Sequence, residues 1–116
     1  VTHKKKIIFH PKLLPVVTIC DPALTVGMPK FITAGTGMDA LAHCIEAYSS
    51  PFYHPMSQGI ALEGMRLVFE NLTTAYSDPT NLEARAHMMS AAAMGVLFMV
   101  QSLCWRSCWT IGFSRR

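Results

Sequence analysis

The segment TGMDALAHCIEAY, residues 36–48, decides the fold of this chain. Its large apolar residues recur at intervals of three and four, which predicts a helix with one apolar side. The residues predicted to face inward are Met38, Leu41, Ile45 and Tyr48. Thr36, with Asp39 three residues later, predicts the N-terminal cap, and the sequence SSP after Tyr48 predicts the end of the helix.

Two further helices are predicted after this one. Pro55 suits the first position of the second helix, and the sequence Asp78-Pro79 marks the start of the third. Residues predicted to face inward are Ile60, Met65, Val68 and Leu72 in the second helix, and Leu82, Ala86, Met89 and Ala93 in the third. The chain from residue 36 is therefore predicted to be all-helical.

Two short apolar runs before residue 36 predict β-strands. Residues 7–9 (IIF) and residues 16–20 (VVTIC) are rich in branched side chains, and neither run alternates between polar and apolar positions. Such strands are normally covered on both faces, in a sheet with neighbouring strands and helices. We therefore expect an α/β remnant, two strands from the end of one domain, followed by about three helices of another.

Composition excludes several classes of protein. Hydrophobic residues make up 51% of the 116 residues, which excludes disorder, and a net charge of +3 without a basic stripe excludes nucleic acid as a partner. Charged residues make up only 15%, against roughly 25% in ordinary soluble domains. Residues 86–105 carry no charge, but His87, Ser90 and Gln101 interrupt them, so we expect a core helix rather than a membrane span.

The four cysteines lack the dense spacing of a disulfide scaffold. We expect free thiols in a reducing compartment, and therefore a cytoplasmic protein.

Asp39 and His43 are the best candidates for chemistry. They stand four residues apart, so on a helix a carboxylate oxygen and an imidazole nitrogen can converge on one divalent cation. A solvated polar face explains the same spacing equally well, and two ligands do not complete a zinc shell. The spacing alone leaves both interpretations open.

Three stretches together resemble the iron-containing, or group III, alcohol dehydrogenase family. They are DPALTVGMPKFITAGTGMDALAHCIEAYSS (residues 21–50), HPMSQGIALEGMRLV (54–68) and AAAMG (91–95). The resemblance implies two domains, an N-terminal α/β domain that binds NAD or NADP and a helical C-terminal domain that holds iron or sometimes zinc. On this basis residues 1–35 are the end of the first domain, residues 36–95 begin the second, and residues 96–116 are a tail that does not match.

The resemblance also implies roles for four residues. Asp39 and His43 correspond to the family's first two metal ligands. Lys5 corresponds best to a lysine near the cofactor, with its neighbouring lysines as alternatives, and Ile32 corresponds to an apolar residue in the loop near the nicotinamide. The implied reaction is hydride transfer between a primary alcohol or aldehyde and NAD(P), with the metal acting on the alcohol oxygen.

Other features of the chain depart from the family. The glycine-rich segment that cradles the dinucleotide phosphates lies upstream of anything in this sequence, and no histidine follows residue 95, where the family supplies two more ligands. We therefore expect a truncated, frameshifted piece of a dehydrogenase gene that is inactive alone, binds neither iron nor zinc tightly, and self-associates through unpacked helix faces. Alternatives are a non-catalytic helical interaction module, a membrane-associated module, or a piece of a maleylacetate reductase or polyol dehydrogenase.

Overall fold

Three α-helices make up most of the structure, a computed structural model that describes residues 10–13, 15–51 and 53–96. Helix α1 is Lys30–Tyr48 and helix α2 is Pro55–Ser77. Helix α3 covers residues 82–96, where the described part ends. Two 3-10 helices, Pro11–Leu13 and Pro22–Thr25, precede α1. The prediction of an all-helical region after residue 36 is confirmed for the described residues.

The predicted strand at residues 16–20 does not form. The backbone there has no regular secondary structure, and the side chains of Val16, Val17 and Ile19 are exposed. A strand needs a neighbouring strand to pair its N–H and C=O groups, and the described ranges contain none. The prediction of an α/β remnant is therefore wrong for this segment. The other predicted strand, residues 7–9, lies outside the described residues.

Helix α1 begins about two turns earlier than the sequence pattern predicts. Its cap residue is Pro29, whose carbonyl accepts from the backbone N–H groups of Ile32 and Thr33. Thr36 is inside the helix, and its hydroxyl donates to the carbonyl of Ile32 (2.9 Å), so it is no cap. Thr36 with Asp39 three residues later suggested a helix start there, but the helix continues through Gly35 and Gly37, since interior glycines cost only about 1 kcal/mol each, which packing can offset.

The other predicted helix ends near the site are confirmed. Helix α1 ends at Tyr48, before the sequence SSP, and α2 begins at Pro55. The ring nitrogen Nδ1 of His54 accepts from the backbone N–H of Ser57 (3.1 Å), which satisfies one of the unpaired donors of the first turn.

The helices run up, down and up. The Nζ of Lys30 at the start of α1 donates to the carbonyl of Ser77 at the end of α2 (3.4 Å), so these two helices are antiparallel. Cys44, near the other end of α1, donates to the carbonyl of Ala91 in α3. Gly37, earlier in α1, lies beside Met88, so α3 runs in the same direction as α1. These directions bring the C-terminal half of α1 against the end of the described part of α3.

Small side chains, rather than the large ones predicted, form the contact between the helices. Buried positions are Thr33, Gly37, Ala40, Leu41, Cys44 and Ala47 in α1, Ser57, Ala61, Gly64, Leu67, Val68 and Ala75 in α2, and Ala84, Arg85, Ala91 and Gly95 in α3. Leu41 and Val68 are therefore the only predicted inward residues that are fully buried within the described helices. Met38, Ile45, Tyr48 and Leu82 are exposed, so their prediction is wrong, and the others are half-buried. Close backbone approach favours small residues at the axis and displaces large ones to the flanks.

None of the described helices is both long enough and apolar enough to cross a bilayer.

Candidate metal centre

Asp39 and His43 come together on the outer side of α1. The Oδ2 atom of Asp39 and the Nε2 atom of His43 are 3.4 Å apart. The Asp39 side chain is 74% exposed and that of His43 is 28% exposed, so the pair opens to solvent. One turn of helix therefore presents an anionic oxygen and an imidazole nitrogen to the same point.

The separation of these two atoms fits a tetrahedral cation. Ligand atoms about 2.0–2.2 Å from a zinc ion at the tetrahedral angle lie about 3.4 Å from each other. The distance between Oδ2 and Nε2 equals that edge, so the separation of the two atoms is compatible with a shared ion. No cluster of three or more His, Cys, Asp or Glu side chains lies close enough to hold a metal within the described residues. A carboxylate oxygen and an imidazole nitrogen are both atoms that bind zinc, and together they supply two of the four ligands of a complete shell.

A second acid–histidine pair with the same spacing offers a comparison. In α3, the Oε1 atom of Glu83 and the Nε2 atom of His87 are 4.0 Å apart, and the two side chains are 87% and 43% exposed. This pair is wider than a tetrahedral edge and its carboxylate is almost fully solvated. On sequence spacing alone, the two pairs would have been equally good candidates for binding a metal ion.

The backbone of His43 is held against α3 by Gly95. A Cβ atom at residue 95 would lie 2.9 Å from the Cβ of His43 and 3.3 Å from the backbone nitrogen of Cys44. Contacts this short do not occur between real carbon atoms, so only glycine permits this approach. The position of the candidate ligand His43 thus depends on a residue from another helix.

Cys44, next to His43, fills the centre of the three-helix contact. Its side chain is 0% exposed, and its Sγ–H donates to the carbonyl of Ala91 (3.7 Å). Burial raises the pKa of this thiol, which therefore stays protonated as a donor. A Cβ at Gly64 of α2 would lie 2.6 Å from the sulfur. Cys20, in contrast, is exposed, and neither of these two cysteines forms a disulfide within the described residues.

The residues assigned to cofactor contact by resemblance are placed as follows. Lys5 lies outside the described residues. Ile32 lies in the first turn of α1 rather than in a loop before it, which corrects the predicted setting of that residue. At 100° per residue, Ile32 shares a helix face with Asp39 and His43, and stands about 10 Å from Asp39 along the axis.

The sequence pattern did not identify Gly64 and Gly95 as supports of the site. They occur in the segments EGMRL and AAAMG, which the hydrophobic periodicity treats as weak positions because glycine carries no apolar side chain. The signal available was the repetition of small residues at helical spacing, which is typical of closely packed helices.

Comparisons with known proteins show which family this chain resembles. Residues 33–107 match the model of the Fe-containing alcohol dehydrogenase family, C-terminal region. The match includes both candidate ligands and extends past residue 95 into the segment that we predict to depart from the family. No solved structure matches the chain.

Several curated proteins are similar to most of this chain. It is 42% identical over 100 residues to 4-hydroxybutyrate dehydrogenase of Cupriavidus necator, covering 85% of this chain and 26% of that protein. It is 40% identical over 100 residues to alcohol dehydrogenase 4 of Saccharomyces cerevisiae, with the same coverage. It is 41% identical over 93 residues to 1,3-propanediol dehydrogenase of Klebsiella pneumoniae, covering 80% of this chain and 24% of that protein.

The chain thus spans about a quarter of the length of these relatives. More than half of it matches one family model, and that match includes Asp39 and His43. The chain belongs to the Fe-containing alcohol dehydrogenase family.

Proposed function

We propose that this chain supplies two of the metal ligands of an NAD(P)-dependent alcohol dehydrogenase and is inactive alone. The reaction would be hydride transfer between a primary alcohol or aldehyde and NAD or NADP. Iron is the first candidate for the metal and zinc the second. The proposal includes residues 1–35 as the end of the cofactor-binding domain, residues 36–95 as the start of the metal-binding domain, and the cytoplasm as the location.

The observation that carries the proposal is the 3.4 Å separation of Asp39 Oδ2 and His43 Nε2 on an exposed helix face. The names of the relatives support the choice of reaction, since they include an alcohol dehydrogenase and two dehydrogenases of hydroxy compounds. Ile32 supports a cofactor on the same side, because it lies two turns before Asp39 on that face.

Each side chain contributes differently to such a site. The Asp39 carboxylate offsets part of the charge of the cation, and neutral His43 adds a nitrogen donor. Since α1 holds both residues, no loop has to become ordered before they bind. When bound, the metal supplies Lewis-acid polarisation of the alcohol oxygen. Glu46, which is exposed one turn beyond, is a candidate for orienting the bound groups.

We expect weak zinc binding that depends on Asp39 and His43. Four-ligand zinc sites reach about 10–16 kcal/mol, so two ligands should give roughly half, a Kd on the order of 1–100 µM. Isothermal titration of the chelator-treated full chain with zinc chloride measures this Kd. D39N and H43Q should each weaken it by about tenfold or more, since one ligand of the pair is lost.

The pair in α3 provides the matched control. E83Q and H87Q remove the same chemical groups at the same spacing, and they should leave the zinc Kd unchanged because their atoms lie 4.0 Å apart and more exposed. If substitutions in either pair weaken zinc binding equally, then any acid–histidine pair on a helix of this chain binds zinc. The proposal would then lose its support. One zinc ion retained per chain after dialysis would instead contradict weak binding.

We extend the proposal to self-association with a second copy of this chain. Large apolar side chains lie exposed along the helices, among them Phe31, Met38 and Ile45 in α1 and Leu62 and Phe69 in α2. Exposed apolar surface of this kind favours association. Sedimentation velocity over a range of protein concentrations should show species larger than 12.8 kDa. A single compact monomer at all concentrations would contradict the proposal.

A further inference from the structure

Asp39 and His43 offer half of a metal shell on an open surface of α1. Their ligand atoms lie 3.4 Å apart, and the two side chains are 74% and 28% exposed. Among the residues that the structure describes, no group of three His, Cys, Asp or Glu side chains could hold a metal ion. A structural zinc site is closed by four protein ligands. Two positions of the shell therefore stay open to donors from another molecule.

The neighbours of this pair on the outer side of α1 are small. Gly35, Thr36 and Ala42 are exposed, and a Cβ at Gly35 would meet no atom within 4 Å. The Thr36 hydroxyl donates to the carbonyl of Ile32 in the same helix. At 100° per residue, each of these three positions lies within about 60° of one member of the pair. A second protein surface can therefore come close to both ligands.

A second copy of the chain supplies the donors that one copy lacks. If a two-fold axis passes through the ion, each copy contributes the same aspartate and the same histidine. Two carboxylate oxygens and two imidazole nitrogens complete a tetrahedral zinc shell. Such a contact uses one patch on both copies, so it closes at a dimer and does not extend into a filament.

Charge balance also favours two copies around one ion. A single Asp39 carboxylate leaves a divalent cation with one uncompensated positive charge, whereas two carboxylates neutralise it. Glu46 is exposed one turn beyond His43 on the same side of the helix. Without the ion, the contact would bring the carboxylates of Asp39 and Glu46 from both copies together, and juxtaposed like charges are unfavourable. This contact should therefore form only when the cation is present.

We propose that zinc bridges two copies of this chain, with Asp39 and His43 of each copy as its four ligands. The inference rests on the proposed function, since it uses the same ligand pair, and it adds a partner and a stoichiometry of one ion per two chains. It is separate from association through exposed apolar side chains. Met38 belongs to that apolar surface, and consecutive residues such as Met38 and Asp39 point about 100° apart around a helix.

Sedimentation velocity with zinc chloride as the probe tests the bridge. The chelator-treated full chain is held at about 200 µM, above the Kd of about 1–100 µM expected for one ligand pair. The average mass should rise toward twice its zinc-free value at about half an equivalent of zinc. It should fall again in severalfold excess zinc, because each ligand pair then binds its own ion.

Substitutions of the ligands assign the bridge to this surface. D39N and H43Q should each abolish the zinc-dependent rise in mass, because each removes two of the four ligands from the bridged ion. E83Q and H87Q alter the acid–histidine pair of α3, whose atoms lie 4.0 Å apart, and should keep the rise.

Gly35→Leu separates bridging from the binding of zinc by one chain. It adds bulk one turn before Asp39 without removing a ligand, so the second copy can no longer approach. At low chain concentration its zinc Kd should stay within about twofold of the unmodified value, whereas the rise in mass at high concentration should be lost. Gly59→Leu is the matched control, because a Cβ at this position of α2 also meets no atom within 4 Å, and it should keep the rise.

Three results would overturn the bridge. They are a constant mass with one zinc ion bound per chain at Asp39 and His43, a rise in mass that D39N and H43Q do not reduce, and a rise retained in Gly35→Leu. The first of these leaves the proposed function intact. Zinc binding that D39N and H43Q fail to weaken would contradict the proposed function itself.

Discussion

Gly64→Ala is expected to destabilise the three-helix unit by about 1–2 kcal/mol, although alanine is the better helix former. The added Cβ would stand 2.6 Å from the Sγ of Cys44, which is 0% exposed, so the sulfur or the helices must shift. Overpacking of this kind costs about 1–3 kcal/mol, while replacing an interior glycine by alanine returns about 0.5–1 kcal/mol. Urea denaturation followed by circular dichroism measures the free energy of unfolding of each variant.

The effect of Gly64→Ala on the free energy of unfolding should reverse, from destabilising to stabilising, when the Cys44 sulfur is absent. In a Cys44→Ala background the 2.6 Å contact no longer exists, and the remaining neighbours of the new Cβ, Met94 and Ala91, lie at ordinary distances of 3.5 and 3.7 Å. Gly64→Ala should then stabilise by about 0.5–1 kcal/mol. The two substitutions should therefore be strongly coupled in a double-mutant cycle.

Gly59→Ala is the matched control, because a Cβ at residue 59 of α2 meets no atom within 4 Å. It should stabilise the protein in both backgrounds. If Gly64→Ala behaves like Gly59→Ala while Cys44 is present, the three helices are not packed through the Cys44 sulfur as described.

The helix ends and the side chains that are neighbours within one helix could be predicted from the sequence, whereas the packing between helices could not. Pro55 and the sequence SSP predicted helix ends correctly because their effect is local: one fixes φ, and the other ends the apolar pattern. That Asp39 and His43 are neighbours was predictable for the same reason, since residues four apart lie on one side of a helix. Their 3.4 Å separation was not predictable, because Glu83 and His87 have the same spacing and lie 4.0 Å apart.

The inward face was mispredicted because size and burial were treated as equivalent. The periodicity of large apolar residues predicted that Met38, Ile45 and Tyr48 face inward, but their side chains are exposed. It did not predict that Gly37 and Cys44 face inward, although both residues are buried. How closely two backbones approach depends on residues from both helices at once. A pattern within one helix carries no information on that distance.

The failed strand has a similar cause. Residues 16–20 have the β-branched composition of a strand, but strand propensity expresses packing against neighbouring strands rather than a backbone preference. The described residues provide no such neighbour, and the segment stays irregular. Arg85 was missed because arginine is normally a surface residue, and only the structure shows that it is buried.

Gly95→Ala is expected to damage both stability and metal binding, and Cys44→Ala should not repair either. The new Cβ would meet the Cβ of His43 at 2.9 Å and the backbone nitrogen of Cys44 at 3.3 Å. These atoms belong to the main framework of α1 and cannot rotate away, so α1 and α3 must separate. We expect a loss of about 1–3 kcal/mol from overpacking, and His43 should move relative to its present position.

Zinc titration of Gly95→Ala distinguishes a role in positioning His43 from a role in stability alone. At a temperature where the variant remains folded, its zinc Kd should rise severalfold. Gly64→Ala, whose contact is with the Cys44 side chain rather than with His43, should affect stability more than zinc binding. Gly35→Ala, with no atom within 4 Å of its new Cβ, controls for the effect of alanine in α1 itself. A normal zinc Kd in folded Gly95→Ala would mean that the approach of α3 does not set the position of His43. A normal free energy of unfolding would mean that the two helices are not in contact at this glycine.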